Sequence, residues 1–418
     1  MFMSMRRFML VGVLGLVAVA TLPASAQVAP DATPNLQLQV PNPGGGFLPA
    51  TVHATLRQPD GKILVAGDFT RLADGTPRLR LLRLNADGSL DTGFAPAFSS
   101  VGTTCVIYSL AWANNSIYVG GAFDAVNGTN SPNVVRLDRN GTLASGWTSP
   151  FAVGSPGQPI RALAATSTSL FIGGDIQLNN AFGLARLDAV SGNWDFAWIA
   201  QTQNGDVINP PSGGTRGEVR VLALVDGDLM VGGDFLKIAN ILVRGLARIS
   251  QTAPVSVRAF NAGLSASSYR IEALQRSGTK LYIGGTFFRE VAPFVSYLNR
   301  VDIGTGLLDT SWQPSTNGSV TTLALEGSLL YVGGSFANAI PPSGGNRLIR
   351  IPTTGNGAID SAWNTTLDDT VLSLSHDCHN RLIVGGAFDT AAGQLHNGLA
   401  GYLTPSGDCI FYSGFETP

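Results

Sequence analysis

A short phrase, an aliphatic run ending in Gly-Gly-x-Phe, constrains this chain more than any other feature. It recurs as VAGDF (65–69), VGGAF (119–123), IGGDI (172–176), VGGDF (231–235), IGGTF (283–287), VGGSF (332–336) and VGGAF (384–388). The second glycines lie 49 to 59 residues apart, so seven copies fill the chain from about residue 51 to 403. A chain written this way must build one supersecondary unit repeatedly and stack the copies.

Each copy has the same parts in the same order. An aliphatic run such as VTTLALE (320–326) comes first, then a tight turn, then the strand that ends on the glycines. A third run follows with an arginine at a fixed place (LLRLN, VVRLD, LARLD, LARIS, LNRVD, LIRIP), and a fourth short run ends on an aromatic (LDTGF, LASGW, LDTSW, IDSAW). Glycine, asparagine and aspartate turns at hairpin spacing predict a four-stranded antiparallel meander per copy. Such a sheet is apolar on both faces, and stacking around an axis buries both. The expectation is therefore an all-β, seven-bladed β-propeller of four-stranded antiparallel blades. An open β-solenoid competes, but its repeats are usually shorter and lack four separate strands.

The seventh copy lacks its fourth strand at the usual place. NLQLQVPNPGGG (35–46) precedes the first copy and has the layout of LDTSWQPSTNGS (308–319), so the N-terminal strand is expected to complete the last blade. That would pair two otherwise exposed edges. The rival for this role is CIFYSGFE (409–416).

Residues 1–26 have a basic start at Arg6 and Arg7, an apolar run from Phe8 to about Ala20, and Ala24-Ser25-Ala26 before Gln27. This is a secretory signal pattern, with a twin-arginine signal as the alternative. The apolar run is short for a span of about 20 residues. The domain reading is a signal at 1–26, the propeller at 27–403 and a tail at 404–418. The expected location is extracellular, periplasmic or cell-surface, with no transmembrane helix after signal removal and a monomeric state. Net charge is −2 and charged residues are 13%, which argues against nucleic acid or an anionic membrane as partner.

LRQPDGKILVAGDF together with RLNADGSLDTGF resembles the delta-60 repeat, a bacterial β-propeller domain of otherwise unknown function. Later copies depart from it, because the Gln-Pro-Asp-Gly-Lys turn occurs once. The ending IFYSGFETP is similar to short Gly-Phe-Glu tails on secreted proteins of some gamma-proteobacteria. The resemblance implies a fold and a bacterial source, and no activity.

Residues repeated in every copy read as scaffold. The glycines are expected where a neighbouring backbone approaches or the strand bends, so Gly386→Val should clash between blades. Arg83, Arg136, Arg186, Arg248, Arg300 and Arg350 occupy one place in six third strands, with Gly401 in the seventh. They could form a ligand ring, but pairing with carboxylates or carbonyls within and between blades is the better reading.

Asx-Gly turns such as NADGSLD (85–91) lack the full calcium ligand series and read as hairpin turns. In SHDCHNR (375–381), His376 and His379 suggest a metal, but a Cys378–Cys409 disulfide at one end of blade seven is the preferred account. Cys105 is then left unpaired. No metal or cofactor is expected. The signatures of α/β-hydrolases, zinc proteases, phosphate loops and dinucleotide sites are all missing.

Residues that break the repeat are the functional candidates. Loops at one end vary widely, as in QTQNGDVINPPSGGTRGE (201–218), and binding usually resides on variable loops over a rigid scaffold. Near that end of the innermost strands lie Tyr108, Arg161, Arg220, Arg270 and Glu272, where other copies carry Ala54, Thr321 and Leu372; Arg216 and Glu218 come from the longest loop. An anionic or sugar-like ligand suits these arginines, and solvated charge at a channel opening is the bland alternative. The leading functional reading is a secreted, non-enzymatic scaffold binding a protein or glycan through its long-loop face. A polysaccharide- or ester-acting enzyme at the same mouth and a surface-display module are the alternatives.

Overall fold

The computed structural model describes residues 27–102, 104–154, 158–178, 181–203, 217–289, 297–314, 316–338, 346–377 and 380–405. The repeated segments form seven three-stranded antiparallel sheets among these residues, each with its second strand in the middle. The first strands are Val52–Arg57, Val106–Ala113, Ile160–Ala165, Glu218–Val225, Leu264–Ser277, Val320–Glu326 and Val371–His376, and they number the sheets one to seven. Each first strand packs against that of the next sheet, and Val371–His376 returns to Val52–Arg57, so the sheets form a closed cycle. This is the arrangement of a β-propeller.

Middle strands are covered on both faces by neighbouring sheets, and their composition follows from that. Ser116–Ala122 and Arg381–Gly386 are buried at every residue. First strands face the central channel and alternate, as in Val106–Ala113, where every second residue is buried.

The two glycines have separate causes. A Cβ on the first glycine would strike the next sheet: Gly173 meets Val219 Cγ1 at 2.4 Å and Gly385 meets Val52 Cγ1 at 2.5 Å. A Cβ on the second would strike the backbone of its own sheet: Gly233 meets the Glu218 carbonyl oxygen at 2.1 Å and Gly386 that of Thr370 at 2.2 Å. The expected inter-blade clash at Gly386 is thus corrected; it belongs to Gly385. The aromatics closing the phrase, from Phe69 to Phe388, are buried.

The fourth strands differ from expectation. Their segments touch the third strand by a single bridge, as in Leu84–Leu90, Leu137–Leu143 and Val301–Leu308. In sheets one, three and five an aspartate at the next residue turns the chain, as Asp360 does in sheet six, while sheets two and four have Ala144 and Arg258 there and also stop after one bridge. One oxygen of Asp91, Asp195, Asp309 and Asp360 accepts the backbone N–H two residues on, curling the chain into an Asx turn. The other carboxylate oxygen accepts from Arg83, Arg186, Arg300 or Arg350. Trp198, Trp312 and Trp363 then pack edge-on against Phe171, Tyr282 and Tyr331 of the middle strands. A side-chain clasp stands where a ladder was expected.

The repeated arginines are scaffold. Besides its aspartate, Arg83 donates to the Arg139 carbonyl, Arg248 to that of Ile303 at 3.1 Å and Arg136 to that of Val190 at 3.2 Å, each in the following sheet. In the seventh sheet Gly401 replaces the arginine because Arg381, Pro34 and Thr33 crowd its place. There Arg381 pairs with Asp31 at 3.0 Å and donates to the Asp87 carbonyl of sheet one at 3.2 Å.

The N-terminal segment reaches the seventh sheet earlier than expected. The Asp31 N–H donates to the Gly401 carbonyl at 2.6 Å, as the Asp91 N–H does to that of Arg83. Residues 35–46 instead lie on the first sheet: Gln39 bridges Arg71, and Gln39–Pro41 pairs with Phe47–Pro49. Leu38 is buried there with Val52 and Phe69. The signal segment, the Cys378–Cys409 pair, His379 and the rival strand at 409–416 lie outside the described residues. Cys105 is buried with a free thiol, which burial pushes to a higher pKa. Among the described residues, no helix is long and apolar enough to cross a membrane, and no cluster of three His, Cys, Asp or Glu could hold a metal.

Candidate functional site

Every first strand carries a β-bulge at one and the same place. Register shifts between Val52 and Ala54, Ile107 and Ser109, Ile160 and Ala162, Val219 and Val221, Ile271 and Ala273, Val320 and Thr322, and Val371 and Ser373. The extra residues are His53, Tyr108, Arg161, Arg220, Glu272, Thr321 and Leu372. A bulge leaves its residue unpaired and re-aims the side chain. Here it also pushes in the carbonyl that excludes a side chain at the second glycine. All of these residues except Tyr108 line a central cavity of about 240 Å³.

The backbone position repeats and the chemistry does not. Arg161 packs over the Tyr108 ring at 4.7 Å, and His53 meets that ring edge-on at 4.9 Å. Arg161 and Arg220 both pair with Glu218, the second at 2.7 Å. Arg220 also reaches Glu272 at 3.6 Å, Arg270 lies 3.2 Å from Glu272, and the Ser319 hydroxyl donates to Glu272 at 2.7 Å. The Thr286 hydroxyl donates to Ser319 at 2.9 Å. One network thus runs from sheet one to sheet six around the mouth. Burial, helped by the Arg161 charge, pushes His53 down to about 4, so its imidazole is neutral at pH 7.

Of the sequence candidates, Tyr108, Arg161, Glu218, Arg220, Arg270 and Glu272 come together here, and Arg216 lies outside the described residues. Arg270 and Glu218 are not bulge residues. Each sits two residues earlier on its strand, at the place Ser319 holds in sheet six. In sheet one the equivalent residue is His53, not Ala54, because the bulge falls one position earlier. His53, Ser319 and Thr286 were missed. The frame VHATL, IYSLA, IRALA, VRVLA, IEALQ, VTTLA, VLSLS exposes the ring, since a β-branched residue precedes each bulge. That residue is the one packed on the previous sheet's first glycine, from Ile160 on Gly120 to Val52 on Gly385.

The arrangement can hold polar groups, and among the described residues it brings no nucleophile–base pair together. Glu218 and Glu272 are each paired with two arginines, so neither stands free as a general acid or base.

A family model described as a domain of unknown function (DUF5122) beta-propeller matches residues 58–94 and 113–143, in the first two copies. Fold and match agree on a β-propeller domain of unknown function. No curated protein matches the chain in sequence. Among solved structures the chain is similar to the Neurospora crassa Pan2 WD40 domain, at 10% identity and TM-score 0.49, covering 85% of this chain and 90% of that one. It is also similar to BamB from Moraxella catarrhalis, at 16% identity and TM-score 0.46, covering 91% of this chain and 96% of that one.

Proposed function

We propose that the chain is an exported, non-enzymatic seven-bladed β-propeller that binds a glycan or protein partner at the channel mouth on its long-loop face. The bulge ring carries this reading: one fixed backbone position presents six kinds of side chain across the seven sheets. A scaffold role alone would repeat its residues, as the clasp arginines do. The seven-blade count rests on the closed cycle of first strands. The bridged aspartate segments serve as fourth strands, and Val28–Asp31 completes the seventh blade through hydrogen bonds to Asn364 and Gly401. Export rests on the signal pattern at 1–26. The engaged state of Glu218 and Glu272 favours binding over hydrolysis.

The test is binding of the mature chain to a panel of immobilised polysaccharides and envelope proteins, beside the triple variant Arg161→Ala, Arg220→Ala, Glu272→Ala. Capture of at least one member, abolished in the triple variant, is the expected result. Capture that the triple variant retains contradicts a site at the channel mouth.

A further inference from the structure

The hydrogen-bonding groups at the mouth are unbalanced. Both carboxylates are engaged: Glu218 accepts from Arg220 and pairs with Arg161, and Glu272 accepts from the Ser319 hydroxyl and pairs with Arg220 and Arg270. The donors are not. The Nε–H groups of Arg161, Arg220 and Arg270 are buried without a hydrogen-bond partner among the described residues. Arg270 Nε lies 3.2 Å from Glu272, and Arg161 Nε is close to Glu218, but neither N–H points along a hydrogen bond. Among the described residues of this network three guanidiniums face two carboxylates, an excess of one positive charge in a partly enclosed space, and buried donors without acceptors are costly.

The opposite wall belongs to sheets one and seven. Thr55 and Ser373 line the cavity that Arg161 and Arg220 line; neither hydroxyl has a partner among the described residues, and that of Ser373 is turned toward Gly385. Ser373 is 7% exposed. Neutral His53 stands beside Thr55 on that strand, edge-on to Tyr108. The complement to this site carries an anion on one side and hydroxyl groups on the other. At about 240 Å³ the cavity falls below the roughly 300–1,000 Å³ of drug-sized ligand sites, so it suits one ring and not a long segment.

On the channel-mouth reading above, we infer that the ligand is an acidic sugar, a uronic-acid residue of a glycan, with its carboxylate on Arg161, Arg220 and Arg270 and its hydroxyls toward the Thr55 wall. A guanidinium fork matches a carboxylate in geometry as well as charge. An acidic peptide would supply the carboxylate and leave the hydroxyl wall unanswered.

The experiment is calorimetric titration of the mature chain with tri-galacturonate, maltotriose, tri-glutamate and sodium sulfate, with melting curves as a folding control. Tri-galacturonate should bind at least about tenfold more tightly than the other three, and Arg220→Gln should weaken it by about tenfold. The double variant Glu218→Gln, Glu272→Gln should tighten it, because it releases arginine donors; a merely structural role would weaken binding in both variants. Equal binding of tri-glutamate or sulfate overturns the sugar assignment, as does weakening in the double variant. Maltotriose binding that the triple variant above abolishes overturns the acidic class and leaves the channel-mouth site standing. Tri-galacturonate binding that survives the triple variant overturns both.

Discussion

Gly385 and Gly386 stand side by side, yet an added methyl group meets a different obstacle at each. At Gly385 it meets Val52 Cγ1 and Ser373 Oγ, both side-chain atoms; at Gly386 it meets the Thr370 carbonyl oxygen, which is backbone. Sheet one already carries Ala66 in the first-glycine place, packed with Ile107. Gly385→Ala should therefore cost less than about 1 kcal/mol and Gly386→Ala about 3 kcal/mol by denaturant unfolding. The recurrence of both glycines was legible in the sequence. Their separate causes were not, because the β-branched residue before each bulge gains meaning only once the register aligns the seven first strands. Histidines give a second prediction at this scale. His376 is pushed down to about 4 by burial and by Arg57, and it packs edge-on to Tyr331. His53 has the same low value beside Tyr108 and Arg161. Each folded value lies below the ordinary 6.5, so the unfolded chain binds protons first as pH falls. Melting temperature should hold above about pH 6.5 and fall between there and pH 4, and His376→Phe should flatten that slope.

The third-strand arginine and the aspartate after it act as one element. Arg83 is 7% exposed, pairs with Asp91, reaches the next sheet at Arg139 and packs over Phe94 at 4.3 Å. Arg136 has Ala144 where sheets one, three, five and six have the aspartate, and donates to the Ser116 hydroxyl instead. Arg83→Ala should cost about 2 kcal/mol, because it removes the bond to the Arg139 carbonyl and the packing over Phe94 and leaves Asp91 with Lys62 as its cation. Arg136→Ala, which breaks no aspartate clasp, should cost about 1 kcal/mol or less. Chemical denaturation of the two variants under one condition checks the contrast. The pairing role was readable from a residue that repeats in six copies. The loss of the fourth ladder was not readable: an Asx turn curls the chain in LDTGF and LDTSW, yet the segments at Leu143 and Val257 stop after one bridge with no aspartate following.

At the scale of the whole molecule the cycle closes through its N-terminal residues. Asp31 supplies sheet seven with the carboxylate and backbone N–H that Asp91 supplies to sheet one. A mature chain lacking residues 27–34 should leave Leu399–Leu403 as an open edge and self-associate on size exclusion, whereas Asp31→Ala should only lower the melting temperature. The sequence pointed to the correct end of the chain but to 35–46, since the alternation in NLQLQV outweighs the short Val28–Asp31 stretch. Within the candidate site, the charged cluster was visible because it breaks the repeat. The cyclic equivalence of its members needed the register. The central claim is that repeated residues hold the cycle while the bulge ring does the binding. Titration of tri-galacturonate into Arg83→Ala and Arg220→Gln tests it most directly, with melting temperature read on the same samples. The account predicts near-unchanged affinity at a lowered melting temperature for Arg83→Ala, and affinity down by about tenfold at a near-unchanged one for Arg220→Gln. Affinity and melting temperature falling together in both variants would contradict it.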